Sequence, residues 1–180
     1  MTPLSARGLI RISRMLRVCC MAGAVGIPLL LAFLWWQLDW IAAASPDLSR
    51  IAFDPREVNG AQRAAAFLTS MIPAGVLIWG LLRLQAVFRR FATGEFFSAA
   101  TTDGLRAFAL AVTLQALLRP VASALLSVLL TLQNPPGQRS LAVGFGSAEL
   151  ETLFVGAVFL AVAHLMNEGC RLADDNAQFV

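Results

Sequence analysis

Four long apolar stretches fill most of this chain, and arginines gather at alternate ends of them. Between Arg17 and Asp39 there are 21 residues without a charge, and between Arg63 and Arg83 there are 19. Between Arg106 and Arg139 there are 32, broken only by Arg119, and between Glu151 and Glu168 there are 16. About 20 helical residues cross a hydrocarbon core of about 30 Å. The pattern is that of an integral membrane protein, which changes the solvent against which every polar residue is read. Composition agrees: 58% of the 180 residues are hydrophobic and 14% charged, where soluble domains average about 25% charged. The expected fold is an all-α membrane protein, a four-transmembrane-helix bundle in a single domain over residues 1–180. Its spans are placed near 18–42, 62–86, 105–132 and 148–167, with a cytoplasmic loop at 87–104 and a cytoplasmic tail at 168–180.

The borders of the spans give an orientation. Arg7, Arg11, Arg14, Arg17, Arg83, Arg89, Arg90, Arg106 and Arg171 fall on one side; Arg50, Arg56, Arg63 and Arg139 fall on the other. The positive-inside rule then puts both termini in the cytoplasm. Trp35, Trp36 and Trp40 mark the outer end of the first span as headgroup-level anchors, while Trp79, deeper in the second, reads as a packing residue. A cleaved signal peptide is the rival for the first span, since Ala42-Ala43-Ala44 precede Ser45. The apolar run is longer than a signal h-region and carries bulky Trp, so retention is expected. Residues 5–18 space Arg7, Arg11 and Arg14 among Leu9, Ile10, Ile12, Met15 and Leu16, as an interfacial amphipathic helix would.

All fourteen basic residues are arginine. They flank apolar spans and form no patch interleaved with aromatics, so no direct nucleic-acid partner is expected. Cys19, Cys20 and Cys170 make no disulfide framework and read as buried thiols on the cytoplasmic side, with acylation of Cys19-Cys20 as the other reading. In the outer loops, Ile51 and Phe53, and then Leu141, Val143 and Phe145, alternate with other residues as a small extracytoplasmic strand pair would. Ser147 reads as an N-cap with Glu149 and Glu151 in the first turn.

Arg119 stands out, because a charge near the middle of a span is costly and faces the bundle interior or a polar cavity. Its candidate partners are Asp39, Glu149 and Glu151, with Gln115 one turn away. Pro120 after it frees the carbonyl of Ala116, which the guanidinium could satisfy. The functional reading is an anion or ligand site. His164 and Glu168 are spaced i,i+4, which suits metal binding or proton relay, but the chain has no second histidine, and an interfacial hydrogen bond is the plainer reading. No catalytic triad, phosphate loop or metal-spaced cysteine set occurs, so neither enzyme activity nor a cofactor or metal is expected. On the cytoplasmic side, Phe88, Arg89, Arg90, Phe91, Gly94, Phe96 and Phe97 make a loop expected to fold back against the bundle or the headgroups, with Ser98 capping the next helix. In the tail, Glu168 and Arg171 pair at i,i+3. Asp174 and Asp175 sit near a helix end that disfavours them, which points to Arg89 or Arg90 as a cationic partner.

The segment Phe91-Ala92-Thr93-Gly94-Glu95-Phe96-Phe97-Ser98 with Leu105-Arg106, the turn Asn134-Pro135-Pro136-Gly137, and the ending from Glu168 to Val180 together resemble a bacterial membrane family described only as domain of unknown function 2975 (DUF2975). The resemblance implies four spans, an uncharacterised activity, and a cytoplasmic protein partner such as a helix-turn-helix regulator. It carries over no catalytic residue. The leading expectation is a non-enzymatic regulatory or scaffold protein acting through its cytoplasmic loop and tail. The alternative is a small transporter or channel protomer with Arg119 lining a polar path. The lipid bilayer is a partner in either case, and a homo-oligomer is left open.

Overall fold

The structure, a computed structural model, describes residues 3–38, 53, 55, 58–93, 98–132, 134–135, 141 and 143–177, with helix side chains at residue 8, from 10 to 169, and at 171. Four helices account for nearly all of them: α1 (Pro3–Trp36), α2 (Gly60–Ala92), α3 (Ala99–Leu130) and α4 (Ser147–Ala177). All four contain a stretch long and apolar enough to cross a membrane. At 1.5 Å per residue, α1, α2 and α3 are each roughly 50 Å long, well beyond a bilayer core of about 30 Å.

The surface is apolar along the helix flanks. Leu29, Phe33, Leu68, Ile72, Leu117, Val121, Phe154 and Leu165 are all exposed. Water does not tolerate so continuous an apolar surface on a monomer, but lipid does. Many of the buried positions along the helices are instead small: Ala24, Ala66, Ala74, Ala109, Ala111, Ala116 and Ala163. Lipid gives apolar side chains no incentive to leave it, so helices associate where small residues let backbones approach.

Each helix packs antiparallel on its neighbour in the chain. Among the described residues α1 makes no close backbone contact with α3 or α4, nor α2 with α4. The four helices thus form an open row with α1 and α4 at its edges. The row has two ends: a terminal end, bearing the starts of α1 and α3 and the finishes of α2 and α4, and a far end opposite it.

The far end holds the main core. Trp35, Leu38, Val58, Ala66 and Leu130 are buried together, with Phe53, Phe67 and Leu126 packed against them. Backbone groups there are satisfied by side chains. Asn59 and Gln62 form a reciprocal capping box at the start of α2, the arrangement that satisfies two orphan donors at once. Gln62 Nε2 also donates to the Leu129 carbonyl near the end of α3 at 3.2 Å. Arg63 donates to the carbonyls of Trp36 and Pro55, both at 3.3 Å, and so closes the end of α1. The Trp35 indole donates to Ser70 Oγ at 3.1 Å. Trp35→Phe, which keeps an aromatic side chain but removes that donor and part of the buried indole, is expected to cost about 1 kcal/mol for the hydrogen bond and more for the lost packing, measured by unfolding in detergent micelles.

Several sequence expectations change here. No strand occurs among the described residues: Leu141 and residues 143–146 carry no regular structure, and Phe53 packs into the far-end core instead of alternating on a ladder. Ile51 lies outside the described residues. Residues 5–18 are not a separate in-plane helix, because α1 runs unbroken from Pro3 to Trp36; no proline interrupts it before Pro28, within the span. The connection expected over 87–104 shrinks to residues 93–98, since α2 continues to Ala92 and α3 starts at Ala99. Trp35 is a buried core residue, not an interfacial anchor, whereas Trp36 is 83% exposed. Trp79 is exposed beneath the Arg83 guanidinium, whose carbon lies 5.3 Å from the ring centre.

Candidate functional site

Two polar arrangements interrupt this apolar row, and both lie between α3 and α4. The first is at the start of α4. Glu149 is the third helical residue, and its Oε2 reaches back to accept from the Gly146 N–H at 2.9 Å. That is the acidic half of a capping box. The Leu150 N–H donates to the Gly146 carbonyl at 3.4 Å, so Gly146 holds the cap position and Ser147 is the first helical residue. The other Glu149 oxygen, Oε1, sits 3.6 Å from Arg119 Nε. The Glu149 side chain is 11% exposed and that of Arg119 is 41% exposed.

This pair fixes the register of α3 against α4. Arg119 is level with the first turn of α4, yet α3 continues to Leu130, eleven residues or roughly 16 Å farther. Helix α4 therefore starts a step below the far end of the other helices. A helix start set that deep leaves N–H groups that lipid cannot satisfy. Glu149 takes one of them, and Arg119 neutralises Glu149. The guanidinium thus answers a carboxylate, not the Ala116 carbonyl freed by Pro120. Of its other expected partners, Glu151 is exposed, and Gln115 makes no hydrogen bond among the described residues. Asp39 lies outside the described residues.

The second arrangement is at the terminal end. Thr102, Asp103 and Arg106 on the first two turns of α3 face His164 and Asn167 on α4 across a cavity of about 310 Å³. Leu160 and Ala163 complete its wall. Asp103 and Arg106 are three residues apart, a spacing at which opposite charges on a helix commonly pair. They share no ion pair among the described residues, and both are exposed. His164 does not bond Glu168, which lies 3.6 Å from Arg171 instead. The expected His164–Glu168 unit is replaced by His164 opposite Arg106. His164 is recognisable from the sequence, whereas its companions Asp103, Arg106 and Asn167 emerge only from the fold. The available signal was two i,i+3 polar pairs, Asp103/Arg106 and His164/Asn167, at the same border of consecutive spans.

The other expected interaction residues divide. Arg89 and Arg90 occupy the last turn of α2, where cations complement the helix dipole; Arg89 is exposed and Arg90 half-buried. Phe91 packs edge-to-face on Phe88, with ring centres 6.1 Å apart. Gly94 and Phe97 lie outside the described residues, as do the side chains of Asp174 and Asp175, whose backbone belongs to α4. Among the described residues, no three His, Cys, Asp or Glu side chains cluster as a metal site requires. A third, apolar groove of about 530 Å³ lies between α2 and α3 and is lined by Ile72, Val76, Trp79 and Leu114 among others. Neither cavity includes Arg119. No family model, no curated protein and no solved structure matches the chain.

Proposed function

We propose that this chain is a four-span protein of the bacterial inner membrane with both termini in the cytoplasm. It works as a non-enzymatic regulatory or scaffold protein through its terminal end. The observation that supports this is an asymmetry of polar groups. At the far end, among the described residues, Gln62, Arg63, Arg119 and Glu149 are spent on helix ends and on each other, and Glu151 is the exception; Asp39, Asp47, Arg50, Asp54, Arg56, Glu57 and Arg139 lie outside the described residues. At the terminal end, Arg11, Arg14, Arg17, Arg89, Asp103, Arg106 and His164 are exposed and make no ion pair among the described residues. Polar groups that hold the fold together are consumed internally; those left over are available to a partner. The partner we propose is a cytoplasmic protein such as a helix-turn-helix regulator, which is what the sequence resemblance to DUF2975 implies, although no family model matches the chain.

The reading of Arg119 as the lining of a transport path has less support, because its guanidinium is engaged by Glu149. Cross-linked affinity capture from native membranes tests the proposal. A specific soluble partner is expected that is lost when Arg89 and Arg90 are both replaced by Gln and retained in Glu151→Gln. A capture profile identical in all three proteins contradicts it. So does solute flux in proteoliposomes that Arg119→Leu abolishes.

A further inference from the structure

The groove between the first turns of α3 and the last membrane-level turns of α4 has a charge arrangement that the scaffold does not use. It holds one cation, Arg106, and one anion, Asp103, exposed and unpaired with each other. His164 and Asn167 add hydrogen-bonding groups from the facing helix, and Thr102, whose hydroxyl donates to the Ser98 carbonyl, completes the polar lining. At about 310 Å³ it sits at the small end of ligand pockets, which run from roughly 300 to 1,000 Å³. That size suits a headgroup-sized fragment.

Its depth narrows the ligand further. Asp103 and Arg106 lie four and seven residues after Ala99, roughly 6–10 Å into α3. Asn167 lies two residues before the apolar stretch of α4 ends at Gly169. The groove therefore opens where hydrocarbon gives way to headgroups. Leu160 and Ala163 line its wall, and Phe108 and Phe159 stack edge-to-face with centres 5.2 Å apart between the same two helices. An acyl chain has apolar surface to follow from there.

We infer that this groove binds a glycerophosphoethanolamine group, with Arg106 and the His164–Asn167 side on the phosphate and Asp103 on the ammonium. A purely anionic headgroup meets the Asp103 carboxylate unfavourably, and a choline headgroup offers no N–H to it. Basic pockets between membrane helices are known places for lipid headgroups; the acid beside the base is what selects the zwitterion here. The inference requires the helices to span a bilayer, but it does not rest on the regulatory reading.

Native mass spectrometry of delipidated full-length protein in detergent micelles tests it. The probes are phosphatidylethanolamine, phosphatidylglycerol, phosphatidylcholine and soluble glycerophosphoethanolamine. The expected result is phosphatidylethanolamine retained at least fivefold more tightly than the other two lipids. Arg106→Gln should remove that advantage, and Asp103→Asn should shift the preference toward phosphatidylglycerol. Arg171→Gln, an exposed change at the same end, should leave it intact. Glycerophosphoethanolamine binding as tightly as the lipid supports the same chemistry and assigns the ligand to a soluble source. Equal retention of all three lipids, or a phosphatidylethanolamine preference that survives Arg106→Gln, overturns the inference. Far-ultraviolet circular dichroism of each variant, matching the parent, excludes misfolding as the cause of a loss.

Discussion

Gly156→Val is expected to separate α4 from α3. A Cβ at Gly156 meets Thr113 Oγ1 at less than any real contact distance, and it also meets Thr113 N at 3.3 Å and the Ala109 carbonyl at 3.5 Å. Two of these three are backbone atoms, which no rotamer change can move. The Thr113 hydroxyl already donates to the Ala109 carbonyl at 3.0 Å, so turning it away breaks that bond. Overpacking of this kind costs about 1–3 kcal/mol, occasionally more. The effect is larger here because α4 packs only on α3 among the described residues and has no second helix to hold it. Thermal unfolding in micelles should show a drop of several degrees and faster proteolysis after α3. Gly169→Val is the control, since a Cβ there meets nothing within 4 Å. Equal behaviour of the two variants contradicts the packing described.

The second large effect concerns Arg119 and Glu149. Glu149→Ala removes the acceptor of the Gly146 N–H and leaves the Arg119 charge without its counter-charge at membrane depth. A central arginine costs about 2.5–3.5 kcal/mol on insertion scales. Because the Arg119 side chain is 41% exposed, screening and snorkelling reduce that, and about 1–2 kcal/mol is expected. Arg119→Leu is milder, because Glu149 keeps its backbone partner. The double variant Arg119→Leu, Glu149→Gln should be more stable than the sum of its single variants, by about 1 kcal/mol in a double-mutant cycle. Strict additivity would show that the two side chains are not coupled.

The spans were legible because lipid imposes one requirement on sequence, about twenty residues without an unpaired charge. Their packing was less so. Small residues are scattered through every span, and nothing in the spacing of Gly80, Gly104 and Gly156 says which faces which helix. In the structure Gly80 approaches Ala111 and Gly104 approaches Val87, placing both between α2 and α3. The start of α4 was misjudged by one residue because Ser147 is the better cap by type, whereas Glu149 reaching back to Gly146 fixes the cap in place. Glu149 was one of three candidate partners for Arg119. Glu151 lies two positions further on, about 200° around the helix, so only one of them faces α3. The strand pair failed because alternation over three or five residues also describes a loop that puts one side chain, Phe53, into a core.

Polar residues at the span borders were the hardest to read. Asp103 and Arg106 look like ordinary charges at the start of a helix, and His164 invited a partner on its own helix at i,i+4. Only the antiparallel register of α3 and α4 brings the two i,i+3 pairs across from each other. That register depends on the short start of α4, which apolar length alone does not reveal.

The central claim is that the uncommitted polar groups of the terminal end face the cytoplasm. Substituted-cysteine labelling of intact cells with a membrane-impermeant maleimide measures this directly, in a background with Cys19, Cys20 and Cys170 replaced by serine. Cysteines at Leu132 and Phe145, at the far end and above the start of α4, should label from outside. Cysteines at Thr93 and Arg171 should label only after the membrane is opened. Labelling of Thr93 or Arg171 positions in intact cells, with Leu132 and Phe145 protected, would invert the protein and contradict a cytoplasmic role for that end.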